Sequence, residues 1–325
     1  MKLKTRVTET LGIDLPIIMG GLTFYGRAEL ASAVSNTGCL GMLTALTAGS
    51  PEALAREIER CRGMTDKPFG VNLTLLPTIN PVPYDEYRRV IIESGVKVVE
   101  TAGRAPTDHL PEFKANDIKV IHKVGSVRHA LSAEKMGVDI VSIDGFECAG
   151  HPGEDDVGGL VLIPATADKV SIPIIASGGI GDGRGLAAAL ALGAEGVNMG
   201  TRFCATQEAP AHPSIKQMFV DLDEMGTNLI FRSLKNTARV AKNSISDEVV
   251  SRLSEPGAQF DQVAELVAGT RGREALVSGD VDGGIIWGGQ VMGLIHDLPT
   301  CAELIDRMVS DAVARNKAFR SMVET

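Results

Sequence analysis

The sequence is poor in several features that would point to particular classes of protein. Aromatic residues make up 4% of the 325 residues, with a single tryptophan. No apolar run reaches the roughly 20 residues that a membrane helix needs. The formal net charge of −9 lacks the basic excess of a nucleic-acid-binding surface. These deficits predict a protein that neither inserts into a membrane nor binds nucleic acid.

Cysteine is also scarce, and its spacing is uninformative. The five cysteines lie far apart, without a Cys-x-x-Cys pair, which is typical of a reduced, cytoplasmic chain. The basic start Met1–Arg6 is not followed by an apolar core, so we expect no signal peptide. Cys148 and His151 form half of a metal site, but no second pair completes a tetrahedron, so no metal is expected.

Glycine is abundant, at 36 residues, and short apolar runs alternate with helical patterns. Strands that are apolar on both faces and alternate with helices predict a parallel sheet covered by helices. Eight such units favour an α/β fold of the (β/α)8 TIM-barrel type. An open doubly wound sheet is the alternative, but its Gly-x-Gly-x-x-Gly turn is missing after the first strand. The predicted strands are Pro16–Gly20, Cys39–Thr44, Phe69–Leu75, Lys97–Thr101, Lys119–Lys123, Asp139–Asp144, Pro173–Gly178 and Gly196–Thr201.

The chain divides into three predicted parts. Residues 1–207 form the barrel, and residues 208–280 form a helical substrate-side subdomain inserted after the eighth strand. Residues 281–325 form a C-terminal segment that returns to the barrel and ends in the helical pattern Cys301–Met322. We expect Trp287, in this last part, to anchor the core.

The loop after the sixth strand is the first candidate site. It runs from Asp144 to Asp156 and is rich in glycine and carboxylates, and its His151 has an ordinary pKa near neutral pH. Residues 154–156 could form a solvated turn, cap a helix or bind a ribose. The proline-rich loop Leu75–Tyr84 could close over the site, bind a nicotinamide or serve only as a connector.

Two further strands end in glycine-rich loops. In such barrels the loops after strands seven and eight often bind phosphate. Here they read Ala176-Ser-Gly-Gly-Ile-Gly181 and Asn198-Met-Gly-Thr-Arg202, and they offer backbone N–H groups and hydroxyls to an anion. Lys123, at the inner end of an apolar strand, requires an anionic partner because an unpaired buried ammonium is costly. A flavin is one such partner.

Together these motifs resemble the FMN-dependent nitronate monooxygenase family, formerly called 2-nitropropane dioxygenases. The resemblance covers nearly the whole chain, and Ala149–Asp156 is most similar to a bacterial NADH:quinone reductase subgroup. It rests on Gly20-Gly21, Gly70-Val-Asn72, His122-Lys123, Asp144, Ala149-Gly-His151, Ser177-Gly-Gly179, Gly200-Thr201, Asn236-Thr-Ala-Arg239 and Gly289-Gln290.

The resemblance implies an FMN site, with NADH or NADPH as electron donor. His151 is then the catalytic residue at the reactive edge of the flavin. The expected cofactor contacts are Gly21, Leu22, Thr23, Asn72, Thr74, Lys123, Asp144, Ala149, Gly150, Ser177, Gly178, Gly179, Gly200 and Thr201.

Three functions remain open at this point. The first is a NAD(P)H:quinone reductase that works by hydride transfer through FMN, in which His151 donates a hydrogen bond or proton to the quinone. The second is a nitronate monooxygenase that uses oxygen. The third is a flavin-free isomerase or lyase with a phosphorylated ligand. Each has a small-molecule substrate, and the sequence is compatible with a homodimer.

Overall fold

The computed structural model describes residues 2–76 and 81–323. Eight strands follow one another along the barrel part of the chain. They are β1 Ile17–Met19, β2 Gly41–Thr44, β3 Phe69–Leu75, β4 Val98–Gly103, β5 Lys119–Val124, β6 Ile140–Asp144, β7 Ile174–Ser177 and β8 Gly196–Met199. The predicted strands are all present, and none of their ends differs by more than two residues from the prediction.

The eight strands form one parallel sheet in the order β1-β8-β7-β6-β5-β4-β3-β2. The sheet closes on itself because Ile18 of β1 bridges Leu40, directly before β2, and the Leu40 N–H donates to the Ile17 carbonyl at 3.0 Å. A closed sheet of eight parallel strands with intervening helices confirms the predicted TIM barrel.

Helices cover the outside of the barrel, and the last described helix ends at Arg320. Ser50 caps the helix Pro51–Arg62, which has proline at its first position, and Ser126 caps the helix Val127–Met136, which is followed by Gly137 in the left-handed conformation. The helices are α1 Arg6–Leu11, α2 Ala28–Asn36, α3 Pro51–Arg62, α4 Tyr84–Glu93, α5 Leu110–Ala115, α6 Val127–Met136, α7 Gly159–Ala167, α8 Gly183–Ala191, α9 Thr201–Cys204, α10 Pro213–Asp221, α11 Ser244–Leu253, α12 Gly269–Ser278 and α13 Cys301–Arg320. Among the described residues, none of these helices is long and apolar enough to cross a membrane.

The segment after β8 is not wholly helical. It also contains an antiparallel pair, β9 Thr227–Ile230 and β10 Ala238–Ala241, which we call the β9–β10 hairpin. The helical prediction missed it because four-residue strands give too short an alternation to recognise. The hairpin packs with α11 around a small second core that includes Ile230, Val240 and Val249. We keep the boundaries at 207 and 280 as a proposal.

Candidate active site

A cavity of about 240 Å³ opens at the carboxyl ends of the barrel strands. Thirteen of the fifteen predicted site residues line it, although they come from the ends of six different strands and the loops that follow them. They are Gly21, Leu22, Thr23, Thr74, Lys123, Ala149, Gly150, His151, Ser177, Gly178, Gly179, Gly200 and Thr201. The parallel sheet therefore brings distant motifs together at one end of the barrel, where such folds place chemistry.

The other two predicted residues lie behind the cavity wall. Asn72 donates from Nδ2 to Oε1 of Glu100 at 2.8 Å and accepts at Oδ1 from the Thr74 hydroxyl at 2.9 Å. Asp144 lies 3.8 Å from the ammonium of Lys123 through its Oδ2. Both residues thus contact side chains that line the cavity, and they do not line it themselves.

Lys123 has the anionic partner that the sequence required, and the partner belongs to the protein. Burial alone would lower the pKa of Lys123, but the nearby carboxylates of Asp144 and Glu100 raise it above its ordinary value. Burial raises the pKa of Asp144, and the adjacent ammonium counteracts this effect. Lys123 therefore presents a fixed positive charge to the cavity at neutral pH.

Glu100, on β4, is a central residue of the site that the sequence analysis did not single out. Its side chain is fully buried inside the barrel. Its Oε1 accepts from the Gly21 N–H at 2.7 Å and from Asn72, and its Oε2 accepts from Nδ2 of Asn198 at 3.0 Å. Three donors satisfy this buried carboxylate, so it ties the loop after β1 to β3 and β8. A carboxylate within the apolar run of a predicted barrel strand was the available signal.

The loops after β7 and β8 form the anion-binding end of the cavity. Gly178 and Gly179 adopt φ values of 92° and 73°, which favour glycine. Within residues 2–76 and 81–323, the N–H groups of Gly178, Gly179 and Gly200 have no acceptor. The buried hydroxyls of Ser177 and Thr201 lie beside them. Free N–H groups in a turn and at a helix start are suited to phosphate oxygens.

These features fit FMN. The N–H groups and hydroxyls at one end would donate to its phosphate, and the ammonium of Lys123, which lines the same cavity, would stabilise an electron-rich ring. The donor set therefore matches a ligand with a phosphate at one end and a redox-active ring at the other.

The loop that carries His151 is fixed to the β9–β10 hairpin. The Gly150 N–H donates to the Arg239 carbonyl at 3.0 Å, and the Arg239 N–H donates back at 2.7 Å. Glu154 accepts from the N–H and hydroxyl of Thr237 at 2.7 and 2.6 Å. These contacts assign Glu154 a structural role, which none of the three expectations for residues 154–156 anticipated. An ion pair between Asp156 and Arg232 completes the attachment.

His151 itself extends into the cavity mouth and makes no hydrogen bond to another described residue. The surrounding walls desolvate its ring and lower its pKa, while Glu154 raises it to a smaller extent. His151 is therefore mainly neutral at pH 7, with one N–H available as a donor.

Two residues next to the site, Cys148 and His122, behave as inert packing groups. Burial raises the pKa of Cys148, so it remains a thiol. His122 points away from Lys123, is buried and lies 2.8 Å from the Thr101 hydroxyl through Nδ1. No cluster of three metal-ligating side chains occurs among the described residues.

Trp287 and Leu76, which belongs to the proline-rich loop, also line the cavity. Trp287 packs against the small second core, as expected, and its half-buried ring lies in the cavity wall, 6.1 Å from the His151 ring. At the start of the proline-rich loop, the Leu76 N–H donates to the Tyr84 hydroxyl at 3.1 Å. Residues 77–80 lie outside the described residues, so the role of this loop stays a prediction.

A phosphate-binding end and a fixed cation within a TIM barrel are compatible with several oxidoreductases. The nitronate monooxygenase family matches residues 4–311 of this chain. A probable nitronate monooxygenase from Staphylococcus saprophyticus is 30% identical and covers 96% of this chain and 98% of its own. The chain therefore belongs to the nitronate monooxygenase family and is an oxidoreductase, which removes the isomerase and lyase alternatives. Membership also implies a flavoprotein.

Other relatives show how varied the named activities are. The (3aS,4S,5R,7aS)-5-hydroxy-7a-methyl-1-oxo-octahydro-1H-indene-4-carboxyl-CoA dehydrogenase of Rhodococcus jostii is 31% identical over 98% of this chain and 99% of its own. The structure of FabK from Thermotoga maritima has a TM-score of 0.92 and 36% identity, covering 99% of this chain and 100% of its own. A nitroalkane oxidase from Streptomyces ansochromogenes has a TM-score of 0.83 and 25% identity, covering 97% of this chain and 100% of its own.

Proposed function

We propose that this chain is an FMN-dependent NAD(P)H:quinone oxidoreductase. Bound FMN supplies two-electron chemistry between a nicotinamide donor and a quinone acceptor. The chain's own residues bind the phosphate, fix the electrostatics and position the acceptor.

The environment of His151 carries this proposal. A histidine that acts as a strong general base is usually oriented by a carboxylate. Here the nearby carboxylate, Glu154, is held by Thr237 at 2.7 and 2.6 Å. His151 is left as a neutral ring at the cavity mouth. Such a ring is suited to donate a hydrogen bond to a carbonyl oxygen on which negative charge develops.

Lys123 and the anion-binding end support the same chemistry. Lys123 remains an ammonium beside Asp144, so it stabilises an electron-rich ligand without changing its own protonation. Ser177 and Thr201 would bind the FMN phosphate with the N–H groups of the adjoining glycines. Replacing Lys123 by methionine should weaken retention of reduced FMN more than that of oxidised FMN.

Nitronate oxidation is the second candidate, since the family and several of its probable members carry that name. In that reaction His151 would act as a base toward a neutral nitroalkane. The Rhodococcus relative is named as acting on a carboxyl-CoA, so a CoA thioester is a third substrate to assay.

Purified protein should first be titrated with FMN and its absorbance followed near roughly 450 nm. Oxidation of NADH and NADPH is then measured with a benzoquinone, and oxygen uptake is measured with propionate-3-nitronate in the absence of NADH. Rapid quinone-dependent NAD(P)H oxidation is expected. Rapid nitronate turnover by an enzyme that ignores NAD(P)H would refute the proposal in favour of the second candidate.

Variants of His151 test its role. Asparagine keeps a donor group and should retain much of the quinone reductase activity, whereas alanine should lose about 10²-fold in kcat. His129, an exposed residue on α6, provides the matched control. Equal losses in both His151 variants would contradict hydrogen-bond donation.

A further inference from the structure

Trp287 is the only tryptophan of the chain, and it lies in the wall of the cavity. Its ring centroid is 6.1 Å from that of His151, with an angle of 39° between the two planes. The two rings therefore stand side by side at the mouth, too inclined for a stacked pair.

The backbone around Trp287 is held from both sides. The Ala241 N–H, at the end of the β9–β10 hairpin, donates to the carbonyl of Ile286 at 2.8 Å. Two residues further on, the Gly289 N–H donates to Oγ1 of Thr201 at 3.0 Å. The indole is thus presented to the cavity by a fixed segment that connects the hairpin with the anion-binding end.

Glycine is required for this close approach. A Cβ atom on Gly289 would lie 2.9 Å from the carbonyl oxygen of Glu147 and 3.1 Å from the N of Ala149. The adjacent Gln290 N–H donates to the same Glu147 carbonyl at 3.0 Å. The segment is therefore packed directly onto the start of the His151 loop, which fixes the separation between Trp287 and His151.

A half-buried indole in a rigid cavity wall leaves part of an apolar face in contact with solvent. Large aromatic faces gain most by stacking in an offset geometry on another flat ring. Next to it, His151 offers a hydrogen-bond donor at the edge of the same space. A flat ring that carries a carbonyl oxygen satisfies both groups at once.

We propose that Trp287 is a specificity-determining residue that stacks on the ring of a quinone while His151 binds its oxygen. This inference rests on the proposed quinone reductase function and names the residue that selects flat, conjugated acceptors. It predicts discrimination between ring-shaped and inorganic acceptors, because the latter have no face to stack on.

The first experiment uses the sole tryptophan as its own reporter. Emission of the purified FMN-loaded protein is titrated with duroquinone, with N-acetyltryptophanamide as the control for collisional quenching. Stacking is supported if quenching of the protein saturates with quinone concentration while quenching of N-acetyltryptophanamide rises linearly. Linear quenching of both overturns the inference.

The second experiment compares acceptors in Trp287→Phe and Trp287→Leu. Loss of a stacking partner should raise KM for duroquinone about tenfold in the leucine variant and about twofold in the phenylalanine variant. Turnover with ferricyanide should remain within twofold of wild type. Phe260→Leu, which changes an exposed aromatic whose ring centroid lies 5.9 Å from that of Phe231, is the matched control.

The outcomes separate the two proposals. If the wild-type protein fails to oxidise NAD(P)H with every quinone tested, the proposed function is refuted. The fluorescence titration still tests ring binding at Trp287 in that case. A leucine variant with an unchanged KM for duroquinone overturns the inference, and so does one that loses ferricyanide turnover to the same degree.

Discussion

Replacing Arg239 by methionine should loosen the attachment of the His151 loop to the β9–β10 hairpin, although the backbone pair between Gly150 and residue 239 remains. Arg239 is 3% exposed, and its Nε and Nη2 donate to the Phe146 carbonyl at 3.2 and 3.0 Å. Nη1 donates to the Thr227 hydroxyl at 2.7 Å, and the guanidinium carbon lies 4.6 Å from the centre of the Phe146 ring. Methionine occupies similar space without any of these donors.

The magnitude follows from what the substitution leaves unpaired. A hydrogen bond from a charged donor contributes about 1.5–3 kcal/mol, and a buried carbonyl without a donor costs about 1–3 kcal/mol. Removing the guanidinium also removes its desolvation cost, which lowers the pKa of Arg239 in the folded protein. The free energy of unfolding should therefore fall by roughly 2–4 kcal/mol.

Urea unfolding followed by circular dichroism measures this loss. Arg232→Met is the matched control on the same hairpin, because Arg232 and its partner Asp156 have side chains that are 41% and 42% exposed. An exposed ion pair contributes at most about 1 kcal/mol. Equal destabilisation by the two variants would refute the reasoning, as would an Arg239→Met protein within about 0.5 kcal/mol of wild type.

Three other substitutions test separate parts of the structure. Burial lowers the pKa of His122 from 6.5 to about 4 in the folded protein. As the pH falls between these two values, the unfolded chain binds a proton that the folded chain does not, so the folded protein loses stability. The resulting loss of up to about 3 kcal/mol should be smaller in His122→Asn when urea unfolding is compared at high and low pH, and parallel losses would contradict it. Gly289→Ala should cost about 1–3 kcal/mol by urea unfolding, whereas Gly63→Ala, whose nearest contact is 3.4 Å, should be nearly neutral. Glu100→Gln places an amide N–H against buried donors and should lower stability by roughly 2–4 kcal/mol in the same assay, and an unchanged midpoint would argue against the buried network.

The barrel was predictable from the sequence because its signals are local. The ends of α3 and α6 carry such local signals, since Ser50, Ser126 and Gly137 mark helix ends by their own side chains or backbone freedom. The family resemblance supplied most of the expected cavity residues, and their convergence at one edge was predictable because the carboxyl ends of parallel strands meet there.

The features that were missed depend on contacts between distant parts of the chain. Glu100 becomes a hub only when Gly21 and Asn198 come within hydrogen-bonding distance. Trp287 resembles a core residue until the glycines that follow it bring it against the His151 loop. The local pattern of apolar and polar residues does not indicate either of these long-range contacts.

The hydrogen bond between Gly289 and Thr201 spans 88 positions along the sequence. During synthesis, a ribosome must therefore add a long stretch of chain after the last barrel strand before the mouth of the cavity can be finished. Until then the loops after β7 and β8 can form, but the cavity wall that contains Trp287 and Gly289 is missing. We expect stalled chains that end before residue 281 to bind FMN weakly and to leave its ring exposed to water, so that commitment to the cofactor comes as one of the last events in making this protein.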